Sequence, residues 1–260
     1  MVAWVMRRVV VADLHLGQRF GDEERFAQLL WEIQERQVGE VIFAGDVFRT
    51  LVGFPRFWNG VIRKNLDLIA ELRRRHVRVI WVEGNRDFFL EDPAMDPFRD
   101  RWVQAYGFSS GWRRFLVEHG DLVSRGDYRY RFWRRLSKGK LASVFARILP
   151  RSLAQRIVSS TEKALSRTNL AKKRMLPVAE LTGAARKHFA SGVDVVFWGH
   201  FHKPWKLEEG EKQAHVLPAW LETSVVVYIE ADGSFSFRNQ LGDFVDSGAR
   251  ICYQESKLGR

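Results

Sequence analysis

The sequence predicts an α/β fold: a parallel β-sheet with helices packed on it, a second sheet stacked on the first, and a basic helical insertion. Three observations predict it. Up to residue 82, apolar runs alternate with amphipathic stretches in the order strand, helix, strand, helix, strand, which right-handed crossovers turn into a parallel sheet. Short alternating runs return after residue 215, with Asp232-Gly233 as a hairpin turn. Between them, Arg125 to Arg174 holds ten Arg and five Lys against only Asp127 and Glu162, a net of +13. The remainder, with 27 basic and 29 acidic residues, stands at −2, so the formal charge of +11 belongs to one segment.

Val2 to Ala12 is the first strand, and it runs into Asp13-Leu14-His15-Leu16-Gly17. Residues two apart on an extended segment point the same way, so Asp13 and His15 can grip one ion. Asp22-Glu23-Glu24 opens a helix with acid where its dipole favours it, and Phe26, Leu29, Leu30 and Ile33 recur at helical spacing. Val41-Ile42-Phe43-Ala44 is a buried strand. Gly45 turns the backbone at its end and leaves Asp46 at the carboxyl edge of the sheet, where α/β proteins place ligand sites. Phe54 to Arg75 is a second helix and Val77 to Val82 a third strand, ending in Glu83-Gly84-Asn85-Arg86-Asp87.

Pro93 and Pro97 then break the regularity. Trp112 to Glu118 is a strand that delivers His119-Gly120-Asp121. In the insertion, Tyr130 to Leu149 is an amphipathic helix with an apolar stripe and a cationic face. Pro150 interrupts it, and Leu153 to Leu170 resumes as a second helix. Pro177 to Ala190 returns to a body helix, and Val193 to Trp198 is a strand whose exit turn is Gly199-His200-Phe201-His202. Val216-Leu217, Ser224 to Ile229 and Ser234 to Arg238 read as antiparallel strands of the second sheet, and no pattern is evident from Asp243 onward. The expected division is therefore a core of 1–124 and 175–242, an insertion of 125–174 and a tail of 243–260.

Composition excludes several classes. No apolar run approaches the roughly 20 residues of a membrane-spanning helix. The first eleven residues are interrupted by Arg7 and Arg8 and read as a strand rather than a signal peptide. Cys252 is the sole cysteine, which rules out a disulfide framework or a thiolate cluster and suits a reducing cytoplasm. The basic segment suits an anionic lipid surface, nucleic acid or a phosphate-bearing substrate, and its plain alternative is a solvated helical face.

Five strand ends thus deliver hard oxygen or imidazole ligands: Asp13-x-His15, Gly45-Asp46, Gly84-Asn85-Arg86-Asp87, His119-Gly120-Asp121 and Gly199-His200-Phe201-His202. Such a set is enough for two cations with Asp46 as the bridge, and it favours Mn²⁺, Fe²⁺ or Zn²⁺. Two ions about 3.5–4 Å apart can clamp both oxygens of an in-line phosphoryl displacement. His76, His188 and His215 lie outside the motifs and read as surface or packing residues.

These ordered motifs resemble those of the calcineurin-like metallophosphoesterases. The resemblance implies two stacked mixed β-sheets flanked by helices, with a helical lid inserted. It further implies one ion held by Asp13, His15, Asp46 and His202 and another by Asp46, Asn85, His119 and His200. Within that superfamily the chain is most similar to the UDP-2,3-diacylglucosamine pyrophosphatases of lipid A biosynthesis. Arg86-Asp87-Phe88 follows the asparagine, the chain is close to a bare catalytic domain, and an aromatic, basic, helical insertion lies between the last two motifs. What this implies is hydrolysis of a UDP-linked diacylated sugar, with two divalent cations, Mn²⁺ first among them, on the cytoplasmic face of the inner membrane. Asn85, Arg86, His119 and Asp121 would be catalytic, Arg86 clamping a phosphate and Asp121 orienting a ligand imidazole. Asp127, Tyr130, Ser166, Asn169 and Lys173 of the insertion would meet the substrate together with Asn85, Arg86 and His200.

Two rival readings stand beside it. Another dimetal phosphoesterase, a nuclease or nucleotide phosphatase, would turn the insertion's cations on nucleic acid. The apolar stripe favours acyl chains instead, and no nucleic acid is expected. A non-catalytic, metal-stabilised membrane adaptor would not need the full ligand set.

Overall fold

The computed structural model describes residues 6–124, 126–158, 160 and 176–239. The chain first runs through β1 (Arg8–Val11), α1 (Asp22–Glu35), β2 (Glu40–Phe43), β3 (Leu51–Val52), α2 (Gly60–Arg74), β4 (Arg78–Val82), β5 (Asp87–Phe88), β6 (Arg101–Val103), β7 (Ala105–Ser110) and β8 (Arg113–Glu118). The insertion follows with α3 (Tyr128–Ser137), α4 (Lys140–Ile148) and α5 (151–158). Then come α6 (Val178–Ala190), β9 (Val195–Trp198), β10 (Trp205–Glu209), β11 (Lys212–Val216), α7 (Trp220–Thr223), β12 (Val225–Ile229) and β13 (Phe235–Asn239).

Two mixed sheets result. The first has the order β13-β12-β1-β2-β4-β6, and the second β10-β11-β9-β8-β7. In the first, β1, β2, β4 and β6 are parallel neighbours and β12 and β13 add antiparallel. In the second, β8, β9 and β11 are parallel and the outer strands antiparallel. Strands β3 and β5 form a small parallel pair.

Alternation along each strand decides the layers, because successive side chains leave opposite faces. Val9, Val11, Val41, Phe43, Val79 and Trp81 face Phe26, Leu29 and Ile33 of α1 and Leu66, Ile69 and Leu72 of α2. Val10, Ile42, Ile80 and Val82 face the other way and meet Phe115, Val117, Val195 and Phe197 of the second sheet. The far face of that sheet packs Trp198, Trp205 and Val216 against Leu181, Ala185 and Phe189 of α6. The order is helices, sheet, sheet, helix.

The two stacked mixed sheets are as expected, but several elements differ. Strands β12 and β13 extend the first sheet, through pairing of β12 with β1, rather than the second. The second sheet is built instead from β7 to β11. The stretch after Pro93 and Pro97 contains β6 and β7; in β7, Tyr106 and Ser110 are buried between exposed neighbours, a period of two. The first helix-rich stretch after residue 53 begins with a 3₁₀ turn, Pro55–Phe57, and α2 starts only after Asn59, whose side chain accepts from the Ile62 N–H.

The insertion breaks where Lys138 and Gly139 separate α3 from α4, so the expected single helix over Tyr130 to Leu149 is two. Asp127 caps α3 by accepting from the Tyr130 N–H at 2.9 Å. Ala146, Leu149 and Ala154 bury against Val52, Phe54, Phe57 and Phe89. The Arg147 guanidinium pairs with Asp92 at 2.6 Å. Most of the stripe is not packed on the body: Phe132, Trp133, Leu136, Leu141, Val144, Phe145 and Ile148 are exposed.

Candidate metal centre

Parallel pairing puts the carboxyl ends of β1, β2 and β4 on one edge, and the loops after β8 and β9 meet them from the second sheet. The loops after β1 and β2 run side by side, with His15 N–H donating to Asp46 O at 3.0 Å and Leu16 N–H to Val47 O at 2.9 Å. Asp13, His15, Asp46, His200 and His202 all adopt left-handed backbone conformations, with φ between 47° and 69°. Asp and His tolerate this region better than most residues, and such conformations collect where a site demands them.

The structure brings the seven side chains together. Asp13 Oδ1 is buried without a hydrogen-bond partner, 3.4 Å from His202 Nε2 and 3.8 Å from His15 Nε2. Those two imidazole nitrogens face each other at 3.3 Å. The other oxygen, Asp13 Oδ2, accepts from the His200 N–H at 2.7 Å, which ties β1 to β9. Asp46 Oδ1 accepts from the Arg86 N–H at 2.9 Å and lies 3.6 Å from His119 Nε2. Asn85 Oδ1 is 3.0 Å from His119 Nε2 and 2.9 Å from His200 Nδ1. Oxygen or nitrogen atoms of Asp13, His15 and His202, and again of Asp13, Asp46 and His119, lie close enough to surround one point.

Close approach explains two glycines. A Cβ at Gly45, whose φ is +88°, would stand 2.3 Å from His119 Nδ1, and one at Gly84 2.3 Å from Asp46 Oδ1. Nδ1 of His119 lies 2.9 Å from the carbonyl of Ala44, so Nδ1 carries a proton and Nε2 is the nitrogen that faces the site; the nearby Asp46 and Asp13 outweigh burial and raise the pKa of this imidazole. Asp87 lies behind the site and was missed as a site residue. Its Oδ2 accepts from the N–H groups of Asp46 and Gly84, at 3.1 and 2.8 Å, which fixes both loops. An aspartate directly after the Asn-Arg pair was the available signal. Burial and the nearby Asp46 push its carboxyl up to about 7.

Burial opposes ionisation of Asp13, but the surrounding imidazoles, His202 first, outweigh it and hold the carboxyl well below the usual range. Burial likewise opposes the charge on Asp46, and His119, His15 and Arg86 still hold it low. Burial drives His15 down to about 3, and burial with the neighbouring His119 drives His200 to about 4. Ionised carboxylates and neutral imidazoles are the forms that bind cations. The donor set also fits. Asp13 Oδ1 is buried without a hydrogen-bond partner and looks onto the imidazoles of His15 and His202, and Asn85 Oδ1 stands 3.0 Å from His119 Nε2, so hard oxygen and imidazole donors converge as a divalent cation requires.

Other expected residues fall differently. Arg86 leans on a neighbouring acid: its Nε lies 3.5 Å from Asp46 Oδ2 and its Nη1 donates to Arg49 O at 3.3 Å. His119 is oriented by the Ala44 carbonyl, and among the described residues Asp121 makes no hydrogen bond to an imidazole. Its carboxylate accepts instead from the Tyr130 hydroxyl and from Arg134 Nε at 2.8 Å. His119 and Arg134 overcome burial to hold it at about 2. Asp127 and Tyr130 are therefore engaged within the protein, as the cap of α3 and as the partner of Asp121. Ser166, Asn169 and Lys173 lie outside the described residues. His215 is buried among Phe197, Phe235 and Phe237, a packing role as expected.

A model of the calcineurin-like phosphoesterase family matches residues 6–204. The chain is 25% identical over 234 residues to a UDP-2,3-diacylglucosamine hydrolase of Ralstonia nicotianae, over 81% of this chain and 82% of that protein. It is 28% identical over 245 residues to a UDP-2,3-diacylglucosamine hydrolase of Aeromonas salmonicida, over 85% of this chain and 89% of that protein. Among solved structures it is similar to the phosphoesterase Yfce of E. coli, with a TM-score of 0.49 and 14% identity over 93% of this chain and 97% of that chain. Because the matched span takes in every strand end that contributes to the seven-residue cluster, the chain belongs to the calcineurin-like phosphoesterase family of metal-dependent hydrolases.

Proposed function

We propose that the chain hydrolyses the pyrophosphate bond of UDP-2,3-diacylglucosamine to UMP and 2,3-diacylglucosamine 1-phosphate, a step of lipid A biosynthesis. The observation that carries the reading is the convergence of Asp13, His15, Asp46, Asn85, His119, His200 and His202 in a chain whose relatives of that name match it over more than four-fifths of its length.

Asp13, His15, Asp46 and His202 would hold one divalent cation, and Asp46, Asn85, His119 and His200 the other, with Mn²⁺ preferred by the mixture of carboxylate and imidazole. Bound there, the ions supply positive charge to the phosphoryl oxygens and lower the pKa of a water. The chain's own work is to keep Asp13 and Asp46 ionised, to keep His15 and His200 neutral and to present His119 through Nε2. Arg86, whose backbone N–H already grips Asp46, offers its planar fork to a phosphate oxygen beside Asn85.

In this reading 125–174 forms a lid on a core of 1–124 and 175–242, with 243–260 as a tail. Asp127 and Tyr130 serve by placing α3, and Ser166, Asn169 and Lys173 meet the polar part of the substrate. The exposed apolar face of α3 and α4, interleaved with Arg129, Arg131, Arg135 and Lys140, suits an anionic bilayer from which a diacylated substrate is drawn. The contact in this reading is peripheral, made by cations and apolar side chains at the bilayer surface; among the described residues no helix is long and apolar enough to cross a membrane.

The test is UMP release by the purified chain with Mn²⁺ and the UDP-diacyl sugar, beside UDP-sugars without acyl chains and single- and double-stranded DNA. Turnover confined to the acylated substrate supports the reading. Equal turnover of DNA or of the unacylated sugars defeats it.

A further inference from the structure

α3 is bound to the catalytic face by a row of side chains that substrate binding does not explain. Tyr130 and Arg134 stand four apart on one face of α3, and Lys138, the residue that caps its carboxyl end, continues the same line. The Tyr130 hydroxyl donates to Asp121 Oδ2. Arg134 bridges two acids, with Nε 2.8 Å from Asp121 Oδ2 and Nη2 3.2 Å from Glu83 Oε1. Lys138 Nζ donates to Glu83 Oε1 and, at 2.6 Å, to the carbonyl of Gly84, and stands 5.3 Å from the centre of the Phe88 ring. The side chains of Glu83, Asp121 and Arg134 are only 5%, 4% and 10% exposed.

The two acids sit on different loops. Glu83-Gly84 leads into Asn85 after β4, and Asp121 follows His119 after β8. One face of α3 therefore grips both loops whose ligand atoms, Asn85 Oδ1 and His119 Nε2, must stay 3.0 Å apart. Asp13, His15 and His202 hang from the loops after β1 and β9. Burial works against the charge of Arg134, yet Asp121 and Glu83 outweigh it and hold the guanidinium above its ordinary pKa. Without that cation Asp121 would keep only the Tyr130 hydroxyl and Glu83 only Lys138, and no single side chain would span the two loops to hold them together.

We propose that Arg134, supported by Tyr130 and Lys138, is a positioning residue for one of the two cations: the first helix of the insertion is a fixed wall of that ion's seat, not part of a cover that swings clear of it. This rests on the two-cation reading given above, and the test separates the two. The metal-free chain is titrated with Mn²⁺ by calorimetry, and the magnetic coupling of the ion pair is followed by electron paramagnetic resonance.

The wild-type chain is expected to take up two ions. Arg134→Met weakens one of them about 10–100-fold and leaves the other, and the coupled signal fades at Mn²⁺ levels that saturate the wild type. Lys138→Met weakens the same ion to a smaller degree. Arg147→Met, which releases α4 from Asp92, changes neither affinity. Two ions bound by Arg134→Met as tightly as by the wild type overturn the proposal, as does equal weakening of both ions in Arg134→Met and Lys138→Met. Should Arg134→Met fail to fold, Lys138→Met and Tyr130→Phe decide by the same criterion. A wild-type chain that takes up a single ion overturns both this proposal and the two-cation reading, whereas a two-ion wild type with indifferent variants overturns this proposal alone.

Discussion

Asp46 shows how little freedom a single residue of the site has. Its N–H is held by Asp87, one of its oxygens by the Arg86 N–H, and its flank by the bare backbone of Gly84. Gly84→Ala, whose Cβ would lie 2.3 Å from Asp46 Oδ1, is expected to weaken Mn²⁺ binding about 10–100-fold, measured by calorimetry. Arg86→Ala is expected to lower kcat about 100- to 1000-fold, with Arg86→Lys between it and the wild type in steady-state assays. Away from the site, His215 offers a pH readout, because burial, aided by Lys206, holds its imidazole at about 3, against 6.5 ordinarily. The unfolded chain takes up a proton there below pH 6.5 that the folded chain refuses, so this stability is present above pH 6.5 and is lost as pH falls towards 3. His215→Phe is expected to make that decline shallower in denaturant melts between pH 7 and 4. At this scale the seven clustered side chains were legible, because each follows an apolar run and an Asp-x-His or Gly-Asp pattern advertises hard ligands. The partners of those residues were not. Asp87 serves backbone N–H groups and Asp121 serves α3, and nothing local in the sequence says which donor a buried carboxylate will meet.

Among the elements, the insertion departs most from what periodicity suggests. Its apolar stripe is real, but Lys138-Gly139 cuts it and leaves α3 and α4 to bury different residues. Glycine loses more freedom in a helix than other residues, and here the chain uses it as a joint rather than a helical position. Leu141 is 84% exposed and Val144 59%, so neither supports the fold by burial. Leu141→Glu with Val144→Glu is expected to leave the melting temperature within a few degrees of the wild type and to reduce binding to anionic vesicles, read by sedimentation. Wild-type binding should also fall as salt rises, each cation near the surface contributing about 1 kcal/mol at low ionic strength. Vesicle binding that is indifferent to both the double substitution and to salt would remove α4 from the membrane. Strands β6 and β7 show the opposite failure. Their alternation was present in the sequence, but two prolines just upstream disguised a region that becomes strand as soon as the 3₁₀ turn Pro93–Phe98 ends.

Across the whole molecule, the layered order was readable because strand positions alternate between two cores. Phe26 belongs to the outer one, within 6.2 Å of the Phe43 ring and 6.5 Å of Trp220. Phe26→Ala is expected to cost about 3–5 kcal/mol in denaturant unfolding, since the large rings on β2 and α7 cannot close the cavity. The parallel start of the first sheet followed from local pattern. Which sheet β12 and β13 would join did not, because a short antiparallel strand carries no mark of its neighbour, and only the open edge of β1 decides it.

The acceptor that seats the His119 imidazole belongs to the main chain, at Ala44, 75 residues upstream. No exchange of side chain can delete it. Drift at that position is free within the bulk that the junction between sheets admits, and the proton on the histidine is inherited with the strand's path rather than with any codon.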